Sequence, residues 1–505
     1  MLRGPQLLRR LLRPPPLLPP RQRRGWCSGS TPSGNPAPAS KGRGDLLSLR
    51  PSELVDFLRC RGIQRCYAVC DDGGIVRVSH PELQELADWL NSGSEQQFRS
   101  HEAILMQLGL RTGCLMTAFL WRTDRGQAYG GIRLQPYSSV EQLLRDGLRQ
   151  SALLGVKAAL AGVWLGGGKG IIPQPENRQH VQPEFRQALF FDYGDFLSSL
   201  NGCYVAGLDV GVNSQDMANV HVRTHWAVNV PGDMGGSANA APLLARGVVC
   251  ALEAMLDHSQ LGSLRGKRVC VQGAGSIGKF LSLDRREVAL SLTDHGLAQL
   301  HITDVNQKRC DDIADLLAPR LGSRLRVSRV PHGDMSLLAE PCDIFVPCAT
   351  SHVLTPDTIP SMEAKIVCGP VNEQRLSDSD CDLLDEHGVL YVPEYIFNRM
   401  AVVSSAYEMY GRMQNDPEME KHFGCEWEHS IGSLVRHVLS ESADRGCSTV
   451  AVADELAERW SREPHPLWPG RARALLAALL AHGWHRGRDF WRQRHNFPNT
   501  HGYAG

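Results

Sequence analysis

Apolar positions fall at helical spacing after residue 138, where Val140, Leu143, Leu144 and Leu148 recur. Ser138-Ser-Val-Glu141 precedes them with the form of a capping box. The pattern predicts a helix of roughly five turns that ends near residue 157. Val163 and Leu165 then suggest a short buried strand, and three glycines, Gly166 to Gly168, follow it. Upstream, 52–58 and 81–90 read as helices and 66–69 and 75–78 as strand pieces. The Ser-, Gly- and Gln-rich stretch 92–99 reads as a loop. Residues 115–121 alternate as a strand, and 204–208 form another that stops at Asp209-Val-Gly211. Asn213-Ser214 is placed to cap the helix that comes next, where His221 and His225 stand four apart. No third ligand accompanies these two histidines, so they read as surface residues.

From residue 237 the pattern changes to alternating strands and helices. Ser237 to Gly247 opens a helix with Pro242 in its first turn. Residues 267–272 are a buried-type strand leading straight into Gly273-Ala-Gly275-Ser276-Ile277-Gly278. A Gly-x-Gly-x-x-Gly that follows a strand and opens a helix gives a tight turn, close approach of a pyrophosphate and close helix packing. Residues 301–305 are the next strand, ended by Asp304, which is placed to accept hydrogen bonds from ribose hydroxyls. Asp304 lies further from Gly278 than the usual spacing, so the helix over 282–294 carries extra residues. Strands over 343–347, 365–368 and 389–393 complete a parallel sheet with helices on both faces.

Two lysines interrupt the apolar run 155–169, Lys157 at the helix end and Lys169 just after the glycines. A lysine there is costly to bury unless an anion meets it or it loses its proton. The plain alternative is a Gly-rich turn with two snorkelling lysines. Likewise Gly130-Gly131, after Tyr129, marks either a close backbone approach or a hairpin turn.

These stretches together resemble the Glu/Leu/Phe/Val dehydrogenases, which oxidatively deaminate amino acids, and most of all the leucine dehydrogenase branch. The likeness covers about residues 113–460, with motifs in order. It implies an α/β protein of two domains, an N-terminal substrate-binding domain and a Rossmann-type doubly wound NAD-binding domain, with C-terminal helices packing back. On that resemblance Lys169 and Asp209 are the catalytic pair, and Lys157 is the substrate carboxylate clamp. Tyr129, Gly130, Gly131, Asn398, Val402 and Ser405 line the amino-acid pocket. Gly273, Gly275, Ser276, Ile277, Gly278, Asp304, Cys348, Ala349 and Asn372 hold NAD. Three places depart from the family. Leu244 stands for a threonine near the nicotinamide, Glu373 for the second of two asparagines, and Arg399-Met400-Ala401 for Ala-Gly-Gly. A catalytically weak relative that binds NAD or an amino acid as scaffold or regulator is therefore the second hypothesis. A glutamate substrate is a further one, although glutamate enzymes carry a lysine where this chain has Tyr129.

Charge sharpens the domain reading. Residues 1–44 hold nine Arg and Lys and no acid, the composition of a mitochondrial transit peptide. A basic tail that binds nucleic acid or membrane surfaces is the alternative for this stretch alone. Without it the chain keeps 45 basic and 54 acidic residues, which argues against a nucleic-acid partner. No apolar stretch is long enough for a membrane span. The fifteen cysteines are scattered without a metal-type spacing, as suits a reducing compartment such as the mitochondrial matrix. The expected organisation is 1–44 transit peptide, 45–236 substrate and oligomerisation domain, 237–408 NAD domain, 409–463 C-terminal helices, and 464–505 a tail without an assigned role. The resemblance further implies a homo-oligomer acting on an amino acid and its 2-oxo acid, with no metal.

Overall fold

The strands expected on either side of residue 237 build two separate sheets. The computed structural model describes residues 45–92, 100–237, 240–275, 278, 292–377, 379–413 and 415–487. The expected transit segment, Ser276, Ile277, nearly all of the helix expected over 282–294, and residues 488–505 lie outside them.

The first sheet contains β1 (Arg65–Cys70), β2 (Val76–Val78), β3 (His101–Leu108), β4 (Leu115–Trp121), β5 (Ala128–Gln135), β6 (Gly166–Pro173) and β7 (Tyr204–Leu208), in the order β2-β1-β3-β4-β6-β5-β7. β4 meets β6 antiparallel, and β5 runs parallel to both β6 and β7. The strand thus begins at the glycines themselves, not at Val163, and Lys169 sits mid-strand opposite Phe119. Gly130 and Gly131 are interior to β5, so no hairpin turns there.

Backbone closeness explains these glycines. The helix Val140–Leu160, capped by Ser139 on the amide of Gln142 at 3.1 Å, one residue later than the box expected from Ser138 and Glu141, crosses β6 directly. A Cβ on Gly167 would strike the Ser151 carbonyl, and one on Gly155 would enter the Trp121 ring. On the opposite face a Cβ on Gly168 would stand 2.8 Å from the Tyr204 ring. Alternation along the strand then places Lys169 on the helix side, with Gly167 and Ile171.

The second sheet holds β8 (Arg268–Gln272), β9 (Gln299–Asp304), β10 (Leu325–Arg329), β11 (Ile344–Pro347), β12 (Ile366–Val367) and β13 (Leu390–Tyr391). All pairs are parallel, in the order β10-β9-β8-β11-β12-β13. This is the doubly wound dinucleotide order, whose direction reverses between β8 and β11. β10 was not anticipated. It is an edge strand reading Leu-Arg-Val-Ser-Arg, with only two apolar residues to signal it.

The C-terminal helices pack back as expected. The helix Thr449–Ser461 lies along Val140–Leu160, and Arg122 grips Glu458 at 2.5 and 3.0 Å. Residues 471–487 are part of the first lobe. Leu476 and Trp484 join the core of Phe190, Phe196 and Leu197, and the Trp484 indole donates to Ser199 at 3.0 Å. Arg473 spans Glu102 and Asp124, each at 2.9 Å. The helix Ser214–Arg223 ends before His225, and both His221 and His225 are exposed.

Candidate active site

Three elements of the first lobe converge between the sheets. β6 supplies Lys169, the end of β7 supplies Asp209, and the last turn of the helix Val140–Leu160 supplies Lys157. The Lys169 ammonium, fully buried, is paired with Asp209 Oδ2. Gly131 makes room for this pair, since a Cβ there would come within 2.7 Å of the Asp209 Cβ. Burial makes Lys169 more acidic than an ordinary lysine, while Asp209 opposes that shift. Burial alone would raise the Asp209 carboxyl, but Lys169 and Arg133 hold it down at about 2. Lys157 is 6% exposed, and burial lowers its pKa to about 8 against the pull of Glu394.

Arg133, two residues past the paired glycines, reaches Asp209 Oδ1 at 3.3 Å and Asp146 at 3.0 Å. Arg149 continues the chain of charges, meeting Asp146 at 3.1 Å and Glu373 of the second lobe at 2.7 Å. The sequence reading did not single out Arg133, Asp146 or Arg149. Their signal was present, because Asp146, Gln150 and Lys157 recur at spacings of four and seven on a helix whose other face is apolar.

From the second lobe come Asn372 and Asn398. Lys157 Nζ donates to Asn372 Oδ1 at 2.7 Å, and the Asn398 amide donates to the same oxygen at 2.8 Å and to Pro370 O at 3.0 Å. Asn398 Oδ1 is buried without a partner among the described residues. The pocket wall is built from both lobes. Tyr129 is buried with its hydroxyl against Ser405. Ser405 Oγ accepts from Asn229 at 2.8 Å, and Val402 is buried nearby in the shared core. Asn229, with a φ of 61°, was also missed from sequence.

The glycine turn lies at the reversal of the second sheet. Gly273, at a φ of 103°, donates to Thr303 O at 2.7 Å and lies against Cys348 and Ala349. A Cβ on Gly278 would strike Gly273 O, whereas Gly275 meets open space among the described residues. Asp304 accepts from the amides of Ala274 and Asn306, each at 2.8 Å. A free face at Gly275, beside a buried carboxylate, fits a dinucleotide.

Comparison with known proteins agrees with this geometry. Residues 235–459 match the family model described as Glutamate/Leucine/Phenylalanine/Valine dehydrogenase. Residues 114–225 match the model described as Glu/Leu/Phe/Val dehydrogenase, dimerisation domain. The phenylalanine dehydrogenase of Bacillus thermotolerans is 32% identical over 63% of this chain and 78% of its own. The leucine dehydrogenase of Geobacillus stearothermophilus is 30% identical over 71% and 90%. The chain belongs to the glutamate/leucine/phenylalanine/valine dehydrogenase family. Among solved structures, L-tryptophan dehydrogenase from Nostoc punctiforme superposes with a TM-score of 0.57 at 27% identity, covering 72% of this chain and 96% of that one. This dehydrogenase is accordingly an oxidoreductase of the amino-acid dehydrogenase class, a class that uses NAD or NADP.

The departures from the family now have positions. Glu373 is engaged by Arg149, and its backbone amide donates to Glu394 at 2.7 Å. Leu244 packs at the margin of the main core. Arg399 is wholly buried and points neither to solvent nor toward the glycine turn. Its guanidinium donates to the carbonyls of Leu160 and His429.

Proposed function

We propose that this dehydrogenase oxidatively deaminates an L-amino acid with an uncharged, leucine-like side chain, giving the 2-oxo acid and ammonia with NAD. The observation that carries the reading is the buried Lys169–Asp209 pair, with Lys157 and the buried Tyr129 close to Asp209.

Gly273, Gly275 and Gly278 with Asp304 would hold the dinucleotide. NAD is favoured over NADP because a carboxylate at the ribose welcomes hydroxyls and repels a phosphate. The nicotinamide supplies the hydride acceptor. The rest falls to the chain's own residues. Lys157 binds the substrate carboxylate with its ammonium. Lys169, as a free amine, takes the proton of the substrate ammonium, passes it by way of Asp209 to solvent, and, freed again, takes the proton of the attacking water. Arg133 holds Asp209 ionised and oriented between these transfers. Asn372 and Asn398 close the site from the second lobe and exclude water.

Substrate choice follows from the pocket wall. Tyr129, Asn229, Val402 and Ser405 include no cation, and Ser405 is already satisfied by Asn229 and Ala401 O. Glu408, held by the amides of Val230 and Ser237 at 3.2 and 2.8 Å, adds to the burial that pushes the Tyr129 phenol up. A glutamate carboxylate there would lack a partner and face an acid, at a cost of several kcal/mol. A leucine side chain needs only apolar surface, whose burial contributes about 1.5–3 kcal/mol.

The scaffold alternative drew on Arg399 and Glu373. Both are engaged away from the Lys169–Asp209 pair, Arg399 by the Leu160 and His429 carbonyls and Glu373 by Arg149, so neither blocks it. The Arg-rich, acid-free residues 1–44 support import into the mitochondrial matrix, and the match to a dimerisation domain supports a homo-oligomer. The test is NADH formation from leucine, isoleucine, valine, phenylalanine and glutamate, beside a Lys169→Ala control. A kcat/KM for glutamate above those of the aliphatic substrates overturns the substrate assignment. NAD binding without turnover of any amino acid favours the scaffold.

A further inference from the structure

Among the described residues, Arg399 is buried without a counter-ion. It is 0% exposed, its two bonded partners are backbone carbonyls, and its Nε meets no partner among the described residues. Burial pulls its pKa to about 9, so it remains charged near neutrality. An uncompensated buried guanidinium is a costly group to place in a core.

Its partners give it a task. Leu160 is the last residue of the helix that carries Lys157, and carbonyls of a last turn lack intrahelical donors and carry the negative end of the helix dipole. The Leu160 oxygen accepts from Arg399 and from His429 Nδ1, the latter at 3.1 Å. On its other side Arg399 directly follows Asn398, whose amide reaches Asn372 at 2.8 Å, and Asn372 in turn receives Lys157 at 2.7 Å. Lys157, Asn372, Asn398, Arg399 and Leu160 therefore form a closed circuit. Only its Lys157–Leu160 and Asn398–Arg399 sides are covalent.

We infer that Arg399 is a positioning residue for Lys157, fixing the last turn of its helix to the segment that bears Asn398 so that the ammonium stays at the substrate carboxylate. The inference rests on the proposed role of Lys157. Arg399 touches neither substrate nor cofactor. A flat fork with donors to two carbonyls is required, and a lysine cannot reproduce it.

The experiment compares steady-state kinetics of the full chain as wild type, Arg399→Met, Arg399→Lys, His429→Ala and Lys157→Ala. Methionine fills the volume without charge. Arg399→Met should raise KM for the amino acid and for the 2-oxo acid at least tenfold with kcat within about threefold, and leave the NADH dissociation constant unchanged. Arg399→Lys should recover only part of the loss. His429→Ala, which removes the second donor to Leu160, should raise KM about threefold, and it carries the test if Arg399→Met does not fold. A fall in kcat at constant KM overturns the inference, as does an unchanged KM in every folded Arg399 and His429 variant. An unchanged KM in Lys157→Ala overturns instead the role of Lys157 beneath it.

Discussion

Lys157 of the first lobe and Asn372 of the second are joined at 2.7 Å, so the residue assigned to the substrate carboxylate is already held by the other half of the molecule. Binding of a carboxylate must compete with this contact or share the ammonium with it, since an ammonium has three donors. Lys157→Ala should therefore raise KM with a smaller loss of kcat. Lys169→Ala should lower kcat by roughly 10²-fold or more while binding survives. Initial rates over a substrate series separate the two, and wild-type kcat/KM in both variants would remove the site assignment.

The pH dependence of KM follows from the acidity of Lys157. Burial, the larger influence, brings it to about 8 from the ordinary 10.5. Above pH 8 the ammonium is lost and KM for the amino acid should climb about tenfold per pH unit. The sign for stability is opposite. Between about 8 and 10.5 the unfolded chain binds the proton that the folded chain has released, so this residue's contribution to stability rises with pH across that window. KM measured from pH 6.5 to 10 at saturating cofactor checks the first claim, and a flat profile would contradict it.

Asp209 has the same sign of stability effect, in an acid window. It is held at about 2 against an ordinary 3.8, so its contribution is complete above 3.8 and is lost as pH falls through about 2. Asp209→Asn leaves Lys169 buried without a negative partner, a change of about 3–5 kcal/mol for a buried pair. Urea unfolding at pH 7 should show most of that loss. Activity should fall by roughly 10²–10⁴-fold as the proton acceptor disappears.

Asp304→Asn keeps an acceptor for the Ala274 amide but removes the charge. The preference for NAD over NADP should shrink by about tenfold, equivalent to ~1.4 kcal/mol. Fluorescence titration with both reduced cofactors measures the ratio. NADP binding more tightly than NAD to the wild type would contradict the role of Asp304.

Trp484 tests whether the last described residues belong to the fold. It is 5% exposed, bonded to Ser199 and overlain by Arg65 at 5.3 Å. Trp484→Ala should cost about 3–5 kcal/mol in the denaturation midpoint analysis. A loss under about 0.5 kcal/mol, as for an ordinary surface change, would show the segment to be dispensable.

Much of this architecture was readable in advance because its chemistry is local. The capped helix to Lys157, the glycine turn after β8 and the strand ending at Asp304 each follow from a short run of residues. What could not be read depends on partners distant in sequence. The glycines before Lys169 look like a turn until helix Val140–Leu160 is placed on them. Arg399 shows in the sequence only as a departure from the family because its acceptors lie 239 and 30 residues away. Leu475, Leu476, Leu479 and Leu480 before Trp484 keep helical spacing, but the partners that place this segment, Ser199 and Arg65 among them, are distant in sequence. Arg133 was visible but stood in the shadow of its neighbouring glycines.

Asn372 and Glu373 are adjacent, yet they grip Lys157 and Arg149, eight residues apart on one helix. The two grips thus start about 3.8 Å apart on the loop and end about 12 Å apart along the helix axis. A slide of one lobe along that axis would lengthen one grip while compressing the other. A tilt away from the axis releases both together. Two grips spread in this way oppose sliding of the lobes more than tilting.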